Sequence, residues 1–275
     1  MSVEVKLLGS MEAVVGGVSF APTAGKPRQL LAILALNAGK VVPVSAIMDE
    51  IWGPATPRSA LTTLHTYVGK LRKDLDCAIG DESRCAAKTV VATEQLGYRL
   101  NVPPENVDAG RYVQSSALGR RIAETGDPET ASATLASALD LWRGSALSDV
   151  SAGSQLMIEV ARLEENRLAD LDLRIEMDLA LGRHRGLLGE LAALCARYPM
   201  SENFHAHYML ALYRSGWQWR ALEIFQRLRN TMVNQLGVDP SAKVRQLQQA
   251  ILRGDPSMDG PEIVSGGRAA AMFAR

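Results

Sequence analysis

The stretch NVPPENVD, Asn101 to Asp108, constrains this chain more than any other. Proline has no N–H to donate, and it pushes the residue before it out of helical geometry. With Pro103 and Pro104 adjacent, neither a helix nor a central strand passes through. The sequence changes character at this point. Upstream, short β-branched runs alternate with helical periodicity. From Asp108 to about Gly254 the periodicity is helical throughout. The chain therefore reads as two domains, 1–102 and 108–254, which suits 275 residues. Residues 257–275 lack helical phasing and read as a flexible tail.

The upstream domain has a definite order. VEVKLLG, MEAVVGG and VSFAP are short, β-branched and broken by glycines, which predicts a small antiparallel sheet. KPRQLLAILALNAG places Pro27 in a first helical turn and Gly39 as a stop. PVSAIMDEIWG is a second helix from Pro43 to Gly53. PRSALTTLHTYVGKLRKDL, from Pro57, is a third of about five turns. A polar linker with Asp81 and Glu82 follows, and KTVVATEQLGYRLN then reads as two strands around a turn near Glu94 to Gly97.

Downstream, breaks fall near Gly126-Asp127-Pro128, Arg143-Gly144, Gly182, Pro199, Gly216 and Gly237 to Pro240. Between them lie helical segments whose Ala, Leu and Tyr alternate small against large. That alternation marks antiparallel pairs of the tetratricopeptide (TPR)-like kind, with a loose period. Aromatic residues are 5% of a chain that is 47% apolar, so aliphatic residues and alanine build the core, which favours helices.

The third helix carries the chemistry. Leu61, Leu64, Val68, Leu71 and Leu75, at steps of three and four, form one apolar stripe. Thr62, Thr63, Thr66 and Lys70 lie opposite, continued by Lys73, and no acid appears before Asp74. A solvated helix face mixes signs because i, i+4 pairs stabilise it, and threonine is a mediocre helix former. Hydroxyls and cations in this arrangement suit base edges and phosphates. The formal net charge is zero, from 30 basic and 30 acidic side chains, so any polyanion footprint is local. Three helices followed by a hairpin is the winged helix-turn-helix order, with the third helix in the major groove.

Other functions find no residues to support them. Cys77, Cys85 and Cys195 are widely spaced, as expected of free thiols in a reducing cytosol. His65, His184, His205 and His207 do not converge on a Cys, Ser or Asp motif, and Glu164 and Glu165 point about 100° apart on a helix. His65 either faces DNA or ends the polar face. No apolar run of about 18 residues predicts a membrane span. MSVEVKLLGS lacks the apolar region of a signal peptide. No enzyme, no metal and no cofactor are expected, and the localisation expected is cytoplasmic, at the nucleoid.

The segments MSVEVKLLGSMEA, KPRQLLAILALNAGKVVPVSAIMDEIWG, PRSALTTLHTYVGKLRKDL and LGYRL resemble the DNA-binding domain of the Streptomyces antibiotic regulatory proteins (SARPs), which is of the OmpR type. ALDLWRGSALSDV, RLEENRLADLDLRI and ALYRSGWQWRALEIFQRLR resemble the bacterial transcriptional activation domain that follows it. The resemblance implies a mainly α protein. An OmpR-type winged helix-turn-helix, made of a small sheet, three helices and a hairpin wing, precedes an all-α TPR-like activation domain. It also implies a transcription activator of an antibiotic gene cluster. Such an activator binds direct repeats in double-stranded promoter DNA near the −35 region, with a second protomer beside it, and recruits RNA polymerase with its sigma subunit. No GxxxxGK[ST] occurs, as in the small class without a nucleotide switch.

By the same resemblance, Thr62, Thr63, Thr66 and Lys70 take groove-facing positions. Lys26, Arg28, Trp52, Arg58, Tyr67, Arg72, Lys73 and Tyr98 take phosphate-side positions. For Trp52 a core role is an equal alternative, whereas Tyr98 and Trp142 suit packing better than ligand contact. Several OmpR-type wings carry an arginine where this chain has Glu94. Glu94 and the zero net charge support one other reading, a TPR-like interaction scaffold with a degenerate DNA-binding domain.

Overall fold

A computed structural model describes residues 2–80 and 86–258. The polar linker residues Asp81 and Glu82, with Cys85, and the tail from Asp259 onward lie outside the described residues. Strands β1 (Val3–Lys6), β2 (Glu12–Val15) and β3 (Val18–Ser19) form an antiparallel sheet in that order, turned at Gly16 and Gly17, both at positive φ. Helix α1 (Gly25–Leu36) follows. Next come β4 (Val41–Pro43), α2 (Val44–Trp52), α3 (Ala60–Ile79), a short α4 (Ala86–Val90), and the hairpin β5 (Val91–Glu94) and β6 (Gly97–Leu100).

Two details differ from the sequence expectation. Lys88 to Val90 are helical rather than strand, in a turn where Ala87 N–H reaches the Asp76 carboxylate at 3.3 Å. The wing also gains a third strand, because β4 pairs with β6, giving the order β4-β6-β5.

Leu7, Leu8, Leu30, Leu31, Leu34, Ile47, Leu64, Leu71, Leu75 and Leu100 are fully buried together. Each contributes roughly 1.5–3 kcal/mol by leaving water.

The helical segment comprises α5 (Asp108–Glu124), α6 (Pro128–Leu139), α7 (Ser154–Ala180), α8 (His184–Arg197), α9 (Glu202–Arg214), α10 (Gln218–Leu236) and α11 (Ala242–Arg253). The breaks fall at the expected glycines and prolines, with one exception. Asp140 to Gly153 form no helix. Their backbone N–H groups are used elsewhere: Arg143, Leu147 and Ser148 donate to Leu8, Leu7 and Gly9 carbonyls at 2.7, 2.8 and 3.2 Å. Residues 257 and 258, the first two of the expected tail, belong to a 3₁₀ turn, Pro256–Met258. Met258 is buried, and its carbonyl accepts Arg214 Nε at 2.8 Å.

Packing does not follow the proline linker. One compact unit holds the chain up to Ala117 together with Ser137–Leu168. The other holds Leu118–Ala136 and the chain from Ala169 on. The physical reason is a set of carboxylates in the first unit. The Asp108 carboxylate accepts Leu7 and Leu8 N–H at 2.6 and 3.1 Å, and burial pushes its pKa up. Glu50, 2% exposed, accepts N–H groups from Gly153 (2.5 Å), Gln155 (2.9 Å) and Leu156 (3.1 Å), and the Gln29 amide at 2.9 Å. It therefore caps α7 from a helix 100 residues away, satisfying first-turn donors that α7 leaves open. Trp142 packs edge-on against Tyr112 at 5.3 Å, with the Arg167 guanidinium over its ring.

In the second unit, α8, α9 and α10 pack as successive antiparallel neighbours. His205 and His207 are buried there. His205 Nδ1 donates to the Ser201 carbonyl at 2.8 Å, and His207 Nε2 lies 2.8 Å from Asp172.

Candidate nucleic-acid interface

Helix α3 starts at a turn in which Ala60 N–H donates to the Pro57 carbonyl. It stops at Gly80, whose φ of 82° suits a residue without a Cβ. Its buried face is Ala60, Leu64, Val68, Leu71, Leu75 and Ile79. Leu61 is not part of it. At 47% exposed it sits on the outer face, because it lies a full step off the centre of the stripe and Ala60 fills the inner position.

The outer face carries Leu61, Thr62, His65, Thr66, Gly69, Lys70 and Lys73, all exposed, with Thr63 half-buried. The Thr63 and Thr66 hydroxyls donate to the Ser59 and Thr62 carbonyls at 2.9 and 3.1 Å. In this geometry their oxygens remain free only to accept, as adenine or cytosine amino groups require. Arg58, Lys70 and Lys73 form no ion pair among the described residues.

Three of the expected phosphate-side residues come together. Trp52 stacks on Tyr67 with centroids 6.1 Å apart and planes 14° apart, and Lys26 Nζ lies 5.2 Å from the Trp52 ring. Both rings are partly exposed, so Trp52 serves packing and surface at once.

Three others do not face outward as phosphate donors. Arg28 donates to the Pro22 and Met11 carbonyls at 3.0 Å each and pairs with Asp149, which ties Met11, just before β2, to the 140–153 loop. Arg72 donates Nε and Nη2 to the Val91 carbonyl at 2.9 and 2.6 Å, and Nη2 to Thr93 Oγ1 at 2.7 Å. Its guanidinium fastens the edge strand β5 to α3. Tyr98 is 5% exposed, and burial pushes its hydroxyl pKa up.

The wing holds two contributors that the sequence does not display. Arg99 Nη2 lies 2.6 Å from Glu94 across the hairpin, so the acid at the expected arginine position is neutralised within the wing. Gly97 is required for packing, because a Cβ there would lie 1.9 Å from the Val42 carbonyl oxygen. Only pairing of β4 with β6 creates that close approach. Leu96, 74% exposed, forms the wing tip.

Comparison with known proteins places this geometry. Residues 22–100 match the model "Transcriptional regulatory protein, C terminal", and 107–252 match "Bacterial transcriptional activator domain". The regulatory protein DnrI of Streptomyces peucetius is 51% identical over 94% of this chain and 96% of its own. The chain belongs to the SARP family.

Another SARP relative, the regulatory protein AfsR of Streptomyces coelicolor, is 35% identical over 92% of this chain, which spans 24% of AfsR. A solved structure of Mycobacterium tuberculosis EmbR in complex with a low-affinity phosphopeptide superposes with a TM-score of 0.85. It is 30% identical and covers 99% of this chain and 70% of that one. This SARP is thus a transcriptional regulator with an OmpR-type winged helix-turn-helix and a helical activator domain. Among the described residues no helix is long and apolar enough to cross a membrane, and no cluster of three or more His, Cys, Asp or Glu is placed to hold a metal ion.

Proposed function

We propose that this SARP activates an antibiotic biosynthetic cluster by seating α3 in the major groove of double-stranded promoter DNA. Two protomers sit head to tail on direct repeats near the −35 region and recruit RNA polymerase together with its sigma subunit. The single observation that carries the DNA reading is the outer face of α3. Thr62, Thr66, Lys70 and Lys73 stand exposed there without an acid, flanked by the Lys26–Trp52–Tyr67 stack.

Thr62, Thr63, Thr66 and Lys70 read base edges. Lys26, Trp52, Arg58, Tyr67 and Lys73 meet the backbone. One such module buries roughly 600–1,000 Å² of its surface on DNA, so adjacent repeats add the affinity a single one lacks. A head-to-tail arrangement follows from direct repeats, which have no two-fold axis.

The reading as a scaffold with a degenerate DNA-binding domain loses its main support, because Glu94 is paired to Arg99. Footprinting on the upstream regions of neighbouring biosynthetic genes, with and without polymerase, tests the proposal. Protection of two repeats in one orientation, extended when polymerase is added, is expected. Absence of any protected sequence refutes the DNA reading, and protection that polymerase does not extend refutes recruitment.

A further inference from the structure

Gly69 is the tenth residue of the twenty in α3, at the centre of the exposed face. His65 and Thr66 precede it by one turn, and Arg72 and Lys73 follow by one. Glycine in a helix interior destabilises it relative to alanine, because more backbone freedom is lost on folding. Several other glycines of this chain, though not Gly186 or Gly189 of α8, have a reason inside the protein. A Cβ at Gly119 would lie 2.8 Å from the Leu135 side chain, and one at Gly153 would lie 2.2 Å from the Glu50 carbonyl oxygen. Gly69 has none, because nothing lies within 4 Å of a Cβ built there, and its backbone is ordinary helix.

We infer that Gly69 is a notch that lets α3 seat close to the base edges. This rests on the proposed DNA reading and adds the depth of seating to it. The reason is reach. Thr62, Thr63 and Thr66 have short side chains, and two of their hydroxyls are bonded back to the helix. They touch a base only if the α3 backbone comes close to it. A side chain at position 69 would stand between the helix and the groove and hold the threonines away. The longer Lys70 and Lys73 would still reach phosphate. The notch therefore serves sequence preference more than general affinity.

Gly186 and Gly189 of α8 have equally open surroundings and lie far along the chain from α3, so they provide the control. The 275-residue wild-type chain is used to select binding sites from a random duplex pool. The affinities of Gly69→Ala, Gly69→Gln and Gly186→Ala are then measured on the selected duplex and on a scrambled one, beside thermal melts. Gly69→Ala should raise Tm by a few degrees and lose about tenfold in affinity for the selected duplex, with little change on the scrambled one. Gly69→Gln should lose more. Gly186→Ala should raise Tm and bind as wild type does. A Gly69→Ala protein that binds the selected duplex as tightly as wild type overturns the notch while leaving the DNA reading intact. A wild-type chain that enriches no sequence overturns the DNA reading itself, and the notch with it.

Discussion

Arg72→Ala separates two roles that a cation on a recognition helix can have. The side chain places two donors on the Val91 carbonyl and one on Thr93 Oγ1, at 2.6 to 2.9 Å. β5 is the edge strand of the wing sheet, and this guanidinium clamps its outer side to α3. Hydrogen bonds from a charged donor contribute about 1.5–3 kcal/mol in total at such a site, and the partial exposure of Arg72 favours the lower half of that range. Removing it should lower the first thermal transition by several degrees. DNA affinity should fall because the wing loosens, yet the slope of log K against log salt should stay the same, since no phosphate contact is lost. Lys73→Ala is the matched comparison, and there the slope should decrease by about one. Fluorescence anisotropy on one duplex from low to moderate salt measures both. If Arg72→Ala leaves Tm unchanged and lowers the slope by about one, the clamp is refuted and Arg72 is a phosphate contact.

Other outcomes follow from the same geometry. Lys73→Ala should weaken cognate and scrambled duplexes equally, whereas Thr66→Ala or Lys70→Ala should shift the preferred bases in a binding-site selection; equal losses on both duplexes for all three would remove the base-reading assignment. Glu50→Ala leaves three backbone N–H groups without their acceptor and removes one of the two acceptors of the Gln29 amide, so it should cost about 3–5 kcal/mol, read as lost denaturant stability. Burial holds the His205 pKa below its usual 6.5, so the unfolded chain takes a proton first as the pH falls. Its contribution should be complete above about 6.5 and be lost as pH falls from there toward the folded value. A melt series from pH 7.5 to 5.5 should show that loss, flattened in His205→Gln.

The sequence displays what is local and hides what pairs at a distance. Leu64, Val68, Leu71 and Leu75 declare the inner face of α3 by spacing alone, and glycines and prolines mark nearly every helix end. β4 escapes because Val41–Pro43 is too short to show alternation, and its partner β6 lies more than 50 residues away. The 140–153 segment keeps the look of a helix, since its apolar residues fall at helical steps. What denies it a helix is the demand of the Leu7, Leu8 and Gly9 carbonyls for its N–H groups. Arg28 and Arg72 read as surface cations for the same reason, because their acceptors are backbone carbonyls that no residue type announces.

The cap that Glu50 places on α7 bears on how this protein can be cut. A fragment ending at the proline linker looks like a natural DNA-binding module. It would keep the Glu50 carboxylate in an apolar setting while discarding Gly153, Gln155 and Leu156, and it would lose Asp108, Arg143 and Asp149, which hold the first sheet. Such a fragment should aggregate or melt near room temperature. Failed purification of it would then reflect the scissors rather than the affinity of α3 for DNA.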